Sequence, residues 1–182
     1  MSIDFFTAWG HGAHAHRGGN TAPGIWQIQA TIRLQEEAAP DVLSCDFRAA
    51  DAYEEALSVY DKNGAPARWA EVTNQYGVVL LALGEEMNAD ATLEKAVSSF
   101  RTAIKVRHKD KTPLLWAQTA NNLGAACFAL AKRNSQSSLL REASDCFEGA
   151  TEIYRQQGIP KQVQVIEKNL QRVRRLLQTR GG

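Results

Sequence analysis

"PARWAEVTNQYGVVLLALG", Pro66 to Gly84, returns in altered form as "PLLWAQTANNLGAACFALA", Pro113 to Ala131. Identical residues stand at Pro66/Pro113, Trp69/Trp116, Ala70/Ala117, Asn74/Asn121, Gly77/Gly124, Ala82/Ala129 and Leu83/Leu130, each pair 47 positions apart (116 − 69 = 47). A fixed period of this size marks an array of stacked structural units, so it decides the fold before any single residue does.

The same offset aligns the flanking segments "DFRAADAYEEALSVY" (46–60), "LEKAVSSFRTAIKVR" (93–107) and "LREASDCFEGATEIY" (140–154). Small residues recur at Ala49, Ala96 and Ala143, aromatics at Tyr53, Phe100 and Phe147, and a second alanine at Ala56, Ala103 and Ala150. Steps of four and three place these side chains on one helical face. Small residues there let helices approach closely while the ring fills the remaining gap. Each such segment ends in a breaker and a proline: "DKNGAP", "HKDKTP" and "QQGIP". Gly64 and Gly158 suit a left-handed helix stop. Pro66, Pro113 and Pro160 suit the first turn of the next helix, where a missing N–H costs nothing.

These signals predict an all-α chain of about seven antiparallel helices, over 24–38, 41–61, 66–84, 90–108, 113–132, 137–156 and 160–178. The first begins a degenerate copy, "APGIWQIQATIRLQEEAA". The last, "KQVQVIEKNLQRVRRLL", caps the array. Residues 1–20 lack a periodic apolar face and are expected to form a flexible tail, with the repeat domain over 21–180.

The pattern resembles the tetratricopeptide repeat (TPR). One copy carries Leu123-Gly124, then Ala143, Phe147, Ala150 and Pro160; the copy before it carries Tyr76-Gly77, Ala96, Phe100, Ala103 and Pro113. The period of 47 exceeds the usual 34. The extra residues near "EEMNADAT" and "KRNSQSS" are expected to lengthen the turn within each helix pair, as in long repeats resembling those of kinesin light chain. The final copy has Gln171 where Gly124 predicts glycine. The resemblance implies a right-handed α-superhelix (a solenoid) that binds protein on a concave face lined by the first helix of each pair.

Composition excludes little but points the same way. The 182 residues carry a net charge of +1, with 21 basic against 20 acidic side chains and 44% hydrophobic residues. That balance argues against a dedicated nucleic-acid binder and allows a sizeable core. No phosphate loop, GxSxG or Cys/His nucleophile pattern occurs, so no enzyme and no cofactor are expected. Cys45, Cys127 and Cys146 show no zinc-ligand spacing and read as reduced, buried thiols. His11, His14 and His16 lie close together, but Gly and Ala around them fix no metal geometry, so a tail is the simpler reading. No apolar run reaches membrane-spanning length and no signal peptide is evident, so a cytoplasmic protein is expected.

Function is sought among recurring polar residues that packing does not require. Asn74 and Asn121 stand mid-helix, where Asn is a poor helix former, beside Gln75 and Asn122. Lys168 and Asn169 hold the matching places in the last helix, with Arg172 one turn on. A carboxamide offers one acceptor and two donors, which fits a peptide backbone. In repeats resembling kinesin light chain, inner-helix asparagines hold a peptide in this way. The alternative is that these amides bond between stacked helices. Trp69 and Trp116 keep a fixed distance from the proline, which favours a packing role at the junction between repeats over a ligand anchor.

Charge is uneven along the chain. Residues 36–55 hold Glu36, Glu37, Asp41, Asp46, Asp51, Glu54 and Glu55 against Arg48, while Lys161, Lys168, Arg172, Arg174, Arg175 and Arg180 face Glu167 in the last helix region. The expected partner is therefore a protein or peptide, acidic where it meets the C-terminal end. Head-to-tail homo-oligomerisation and binding of an anionic surface or nucleic acid through the last helix are the alternatives.

Overall fold

The structure is a computed structural model that describes residues 42–60 and 62–180. The helix expected over 24–38 and the tail 1–20, with its three histidines, lie outside the described residues. Six helices follow: α1 (Val42–Val59), α2 (Pro66–Glu86), α3 (Asp90–Ile104), α4 (Pro113–Asn134), α5 (Ser137–Gln156) and α6 (Pro160–Thr179). They pack sequentially and antiparallel, each mainly on the next. No described helix is long and apolar enough to cross a membrane.

The predicted faces form the core. Ala49, Tyr53 and Ala56 on α1, Ala96, Phe100 and Ala103 on α3, and Ala143, Phe147 and Ala150 on α5 are all buried. One large cluster runs from Leu80 to Val173, a smaller one joins Tyr53, Ala56 and Val72, and Tyr76 packs against both. This continuity explains the repeat physically: one helix pair cannot cover its own apolar faces, but stacked pairs cover one another's.

The prolines stand in the first turn of α2, α4 and α6. Gly158 adopts φ +68° at the end of α5. Left-handed geometry also recurs at Asn88 (φ 54°) and Ser135 (φ 57°), again 47 apart (135 − 88 = 47). These two residues correct the expected turns. Only Met87–Ala89 separate α2 from α3, and only two residues separate α4 from α5. The long period is absorbed by longer helices, 21 residues in α2 and 22 in α4, because the helix runs on until the left-handed residue stops it. In contrast, α3 ends earlier than expected, at Ile104. The N–H groups of Val106 and Arg107 both donate to the Ala103 carbonyl, at 3.1 and 3.3 Å, and the chain tightens into a turn.

A recurring arginine ties successive pairs together. Arg133, at the end of α4, donates to the Asn88 carbonyl (2.6 Å) and side-chain oxygen (2.9 Å) and also meets Asp90. Arg180, 47 positions later, reaches back in the same sense and donates to the Ala131 carbonyl at 2.7 Å. Each guanidinium braces one helix pair against the one before it through charge-assisted bonds to backbone oxygens; the Ala131 carbonyl also accepts from the Ser135 N–H at 3.2 Å.

Candidate functional site

The first helices of the pairs lie side by side. Besides the sequential contacts, α2 touches α4 and α4 touches α6. Register then aligns Glu71, Gln118 and Val165 in one row, Asn74, Asn121 and Lys168 in the next, and Gln75, Asn122 and Asn169 beside it (each step 47).

These residues do not all reach the surface. Asn74 is fully buried, and its Oδ1 accepts a bond from Asn122 Nδ2 at 3.4 Å. This bond crosses from α2 to α4, which is the interhelical use of an amide. Gln75, Asn121, Asn122 and Asn169 are half-buried, whereas Lys168 and Arg172 are exposed. Two amide atoms, Asn74 Nδ2 and Asn121 Oδ1, are sealed from solvent and have no partner. A buried polar atom without a partner is rare, because its desolvation goes uncompensated at about 1–3 kcal/mol.

The charges sort into two faces of α6. Arg174 pairs with Glu148 at 3.1 Å, and Glu167 pairs with Arg155. These four side chains line a polar cleft between α5 and α6 with Thr151, Leu170 and Gln171, and their charges cancel. Lys161, Lys168, Arg172 and Arg175, at spacings of seven, four and three, share the other face. None of the four makes an ion pair among the described residues. Val165 lies within this stripe and is 53% exposed.

Towards the far ends of α2 and α4 the surface becomes apolar. Val78, Leu81, Ala125 and Phe128 are partly buried, and the Lys132 ammonium sits 5.4 Å above the Phe128 ring while standing 3.8 Å from Glu85. Periodicity marked none of this patch, because its residues differ between copies.

Trp69 and Trp116 are half-buried and each is covered by a lysine, Lys62 at 5.1 Å and Lys109 at 5.3 Å from the ring centroid. Trp116 also lies against Gly149, where an added Cβ would approach the ring to 2.8 Å. Contacts on both sides mark it as a packing residue.

The described thiols are withdrawn from chemistry. Cys127 is buried and Cys146 half-buried. Burial pushes the Cys127 thiol well above its usual range and the Cys146 thiol up to about 12. Among the described residues no group of His, Cys, Asp and Glu could hold a metal ion.

Comparison with family models, with curated proteins and with solved structures finds no match for this chain.

Proposed function

We propose that the chain is a protein-interaction module. In this reading it is a TPR-like right-handed superhelix of about three and a half long repeats, and an extended segment of a partner protein lies along the concave face formed by α2, α4 and α6. The observation that carries the reading is the side-by-side placement of those helices, with half-buried amides grading into unpaired cations. Gln75, Asn122 and Asn169 supply donors and acceptors for a peptide main chain, and Asn121, whose Oδ1 is sealed, supplies donors from its Nδ2. Lys168 and Arg172 attract acidic side chains. Asn74 is too deep to touch a ligand and serves by holding Asn122 in place.

A second reading, an anionic surface bound by α6 alone, is supported by the row of unpaired Lys161, Lys168, Arg172 and Arg175 around exposed Val165. Head-to-tail stacking of copies through the α6 cleft has less support. Its charges are already matched, and Gln171 stands where the earlier copies use glycine to admit a ring.

Peptides selected from a random library test the proposal. Lys168→Glu with Arg172→Glu should weaken the selected acidic peptide at least tenfold, about 1.4 kcal/mol, and flatten its salt dependence. Asn121→Ala should weaken it independently of salt. Unchanged binding in both variants contradicts the groove. Loss only with the charge reversal, together with binding to anionic vesicles, favours the second reading.

A further inference from the structure

Arg107, in the α3–α4 loop, is the one charged side chain among the described residues that is buried, at 6% exposure. Its register equivalents are Tyr60 and Tyr154 (107 − 47 and 107 + 47), so the other two copies fill this place with a neutral ring. Burying a charge where a neutral ring serves elsewhere costs stability unless the charge is compensated. Here no carboxylate pairs with it: Arg107 is absent from every ion pair among the described residues, and Glu71 acts on it only through its charge, without contact. Its Nη1 is fixed by neutral oxygens, donating to Thr119 Oγ1 at 2.7 Å and to the Leu115 carbonyl at 3.2 Å, with Gln118 Oε1 at 3.5 Å.

Nε and Nη2 make no hydrogen bond among the described residues. Neither is among the side-chain atoms of the described residues that are both sealed and unpartnered, Asn74 Nδ2 and Asn121 Oδ1. Nε–H and the neighbouring Nη2–H point in parallel, which is the fork that holds a carboxylate side-on. The fork is also pre-oriented, since Nη1 is already held. Its surroundings belong to the candidate surface: Gln118 and Thr119 are on α4, and Glu71, the acid whose charge acts on Arg107, is exposed on α2. Burial lowers the Arg107 pKa, but a guanidinium stays protonated at neutral pH.

We propose that Arg107 is a carboxylate-binding anchor at the N-terminal ends of α2 and α4. The proposal rests on the reading of this surface as the partner-binding face and adds a second acid-recognition point, remote in sequence from Lys168 and Arg172. A partner segment would place one carboxylate on Arg107 and further acids beside α6. Glu71 opposes the ligand at this end and sets a limit on its affinity. The carboxylate belongs either to an Asp or Glu side chain or to a chain terminus.

The Arg107 Nε–H resonance, assigned through its loss in Arg107→Tyr, reports directly on the fork. Sodium acetate should shift it saturably and sodium chloride at equal ionic strength should not. Glu71→Gln should tighten the acetate response. An amidated glutamate hexapeptide and an alanine hexapeptide with a free C-terminus then distinguish a side-chain carboxylate from a terminal one. Arg107→Tyr, which restores the residue of the other copies, should keep the melting temperature or raise it while abolishing these responses in the remaining spectrum. A resonance that ignores acetate and both peptides overturns the proposal, as does a large drop in melting temperature for Arg107→Tyr, which would make the side chain structural. Because this signal is local, it fails or holds separately from binding through Lys168 and Arg172.

Discussion

Gly124 lies so close to the ring of Phe147 that a Cβ on it would stand 2.9 Å from Cε1, and 47 residues earlier Gly77 meets Phe100 in the same way, at 2.8 Å. The paired contacts explain why helix interiors that gain about 1 kcal/mol from alanine keep glycine instead. Gly124→Ala should therefore lower stability despite its better helix propensity, since overpacking a core costs roughly 1–3 kcal/mol. Gln171→Gly is the control. That exposed position in α6 holds a larger side chain, so the change should cost only the propensity difference of under about 1 kcal/mol. Chemical denaturation of both variants measures the contrast.

Phe100 and Phe147 are both fully buried at equivalent places. Phe100→Ala should destabilise by about 3–5 kcal/mol. An unchanged melting curve would contradict the packing described for α2, α3 and α4.

The apolar seam of α6 and its basic stripe should separate experimentally. Ile166, Leu170 and Val173 are buried, with Val163 and Leu177 at their margins. Leu170→Asp buries an unpaired charge and should loosen the C-terminal end, seen as lost helical circular dichroism and faster amide exchange in α5 and α6. Lys168→Glu with Arg172→Glu touches only exposed side chains and should leave the melting temperature within a few degrees of the parent.

Stability should also depend on acid through Glu142. Its bond to Arg101, at 2.8 Å from Nε, joins α3 to α5 and holds its carboxyl below the usual range. A carboxyl with a depressed folded-state pKa contributes stability that is present above its unfolded value and lost as pH falls. The loss should begin below about pH 4.3, the ordinary glutamate value, and continue downward. Glu142→Gln should be less stable than the parent at neutral pH and should narrow that difference at low pH. A constant difference across the titration would show that the pair contributes nothing.

The sequence reveals much of this architecture because packing repeats. The prolines, the alanine and aromatic faces, and the glycines under the rings all answer one recurring geometric demand, so they recur at one spacing. The turns differ from expectation for a physical reason: Glu85, Glu86, Arg133 and Asn134 look like loop residues but continue their helices until Asn88 and Ser135 turn left-handed. The Arg133 and Arg180 ties were legible in principle, being 47 apart, but arginine near a helix end has many simpler uses. Asn74 shows what spacing cannot decide. It shares a register with Asn121, yet it is sealed by its neighbours while Asn121 is half-exposed. Arg107 breaks the repeat, with tyrosine at both equivalent positions, so no periodic signal marks it.

The central claim is that one face, formed by α2, α4 and α6, receives the partner. The most direct measurement is backbone amide mapping of the isotopically labelled chain with a library-selected acidic peptide. Perturbed amides should cluster around Gln75, Asn121, Asn122, Asn169 and Arg172, leaving the exposed surfaces of α3 and α5 around Lys95 and Asp145 unchanged. Perturbations centred on α3 and α5, with the α2–α4–α6 face silent, would contradict it.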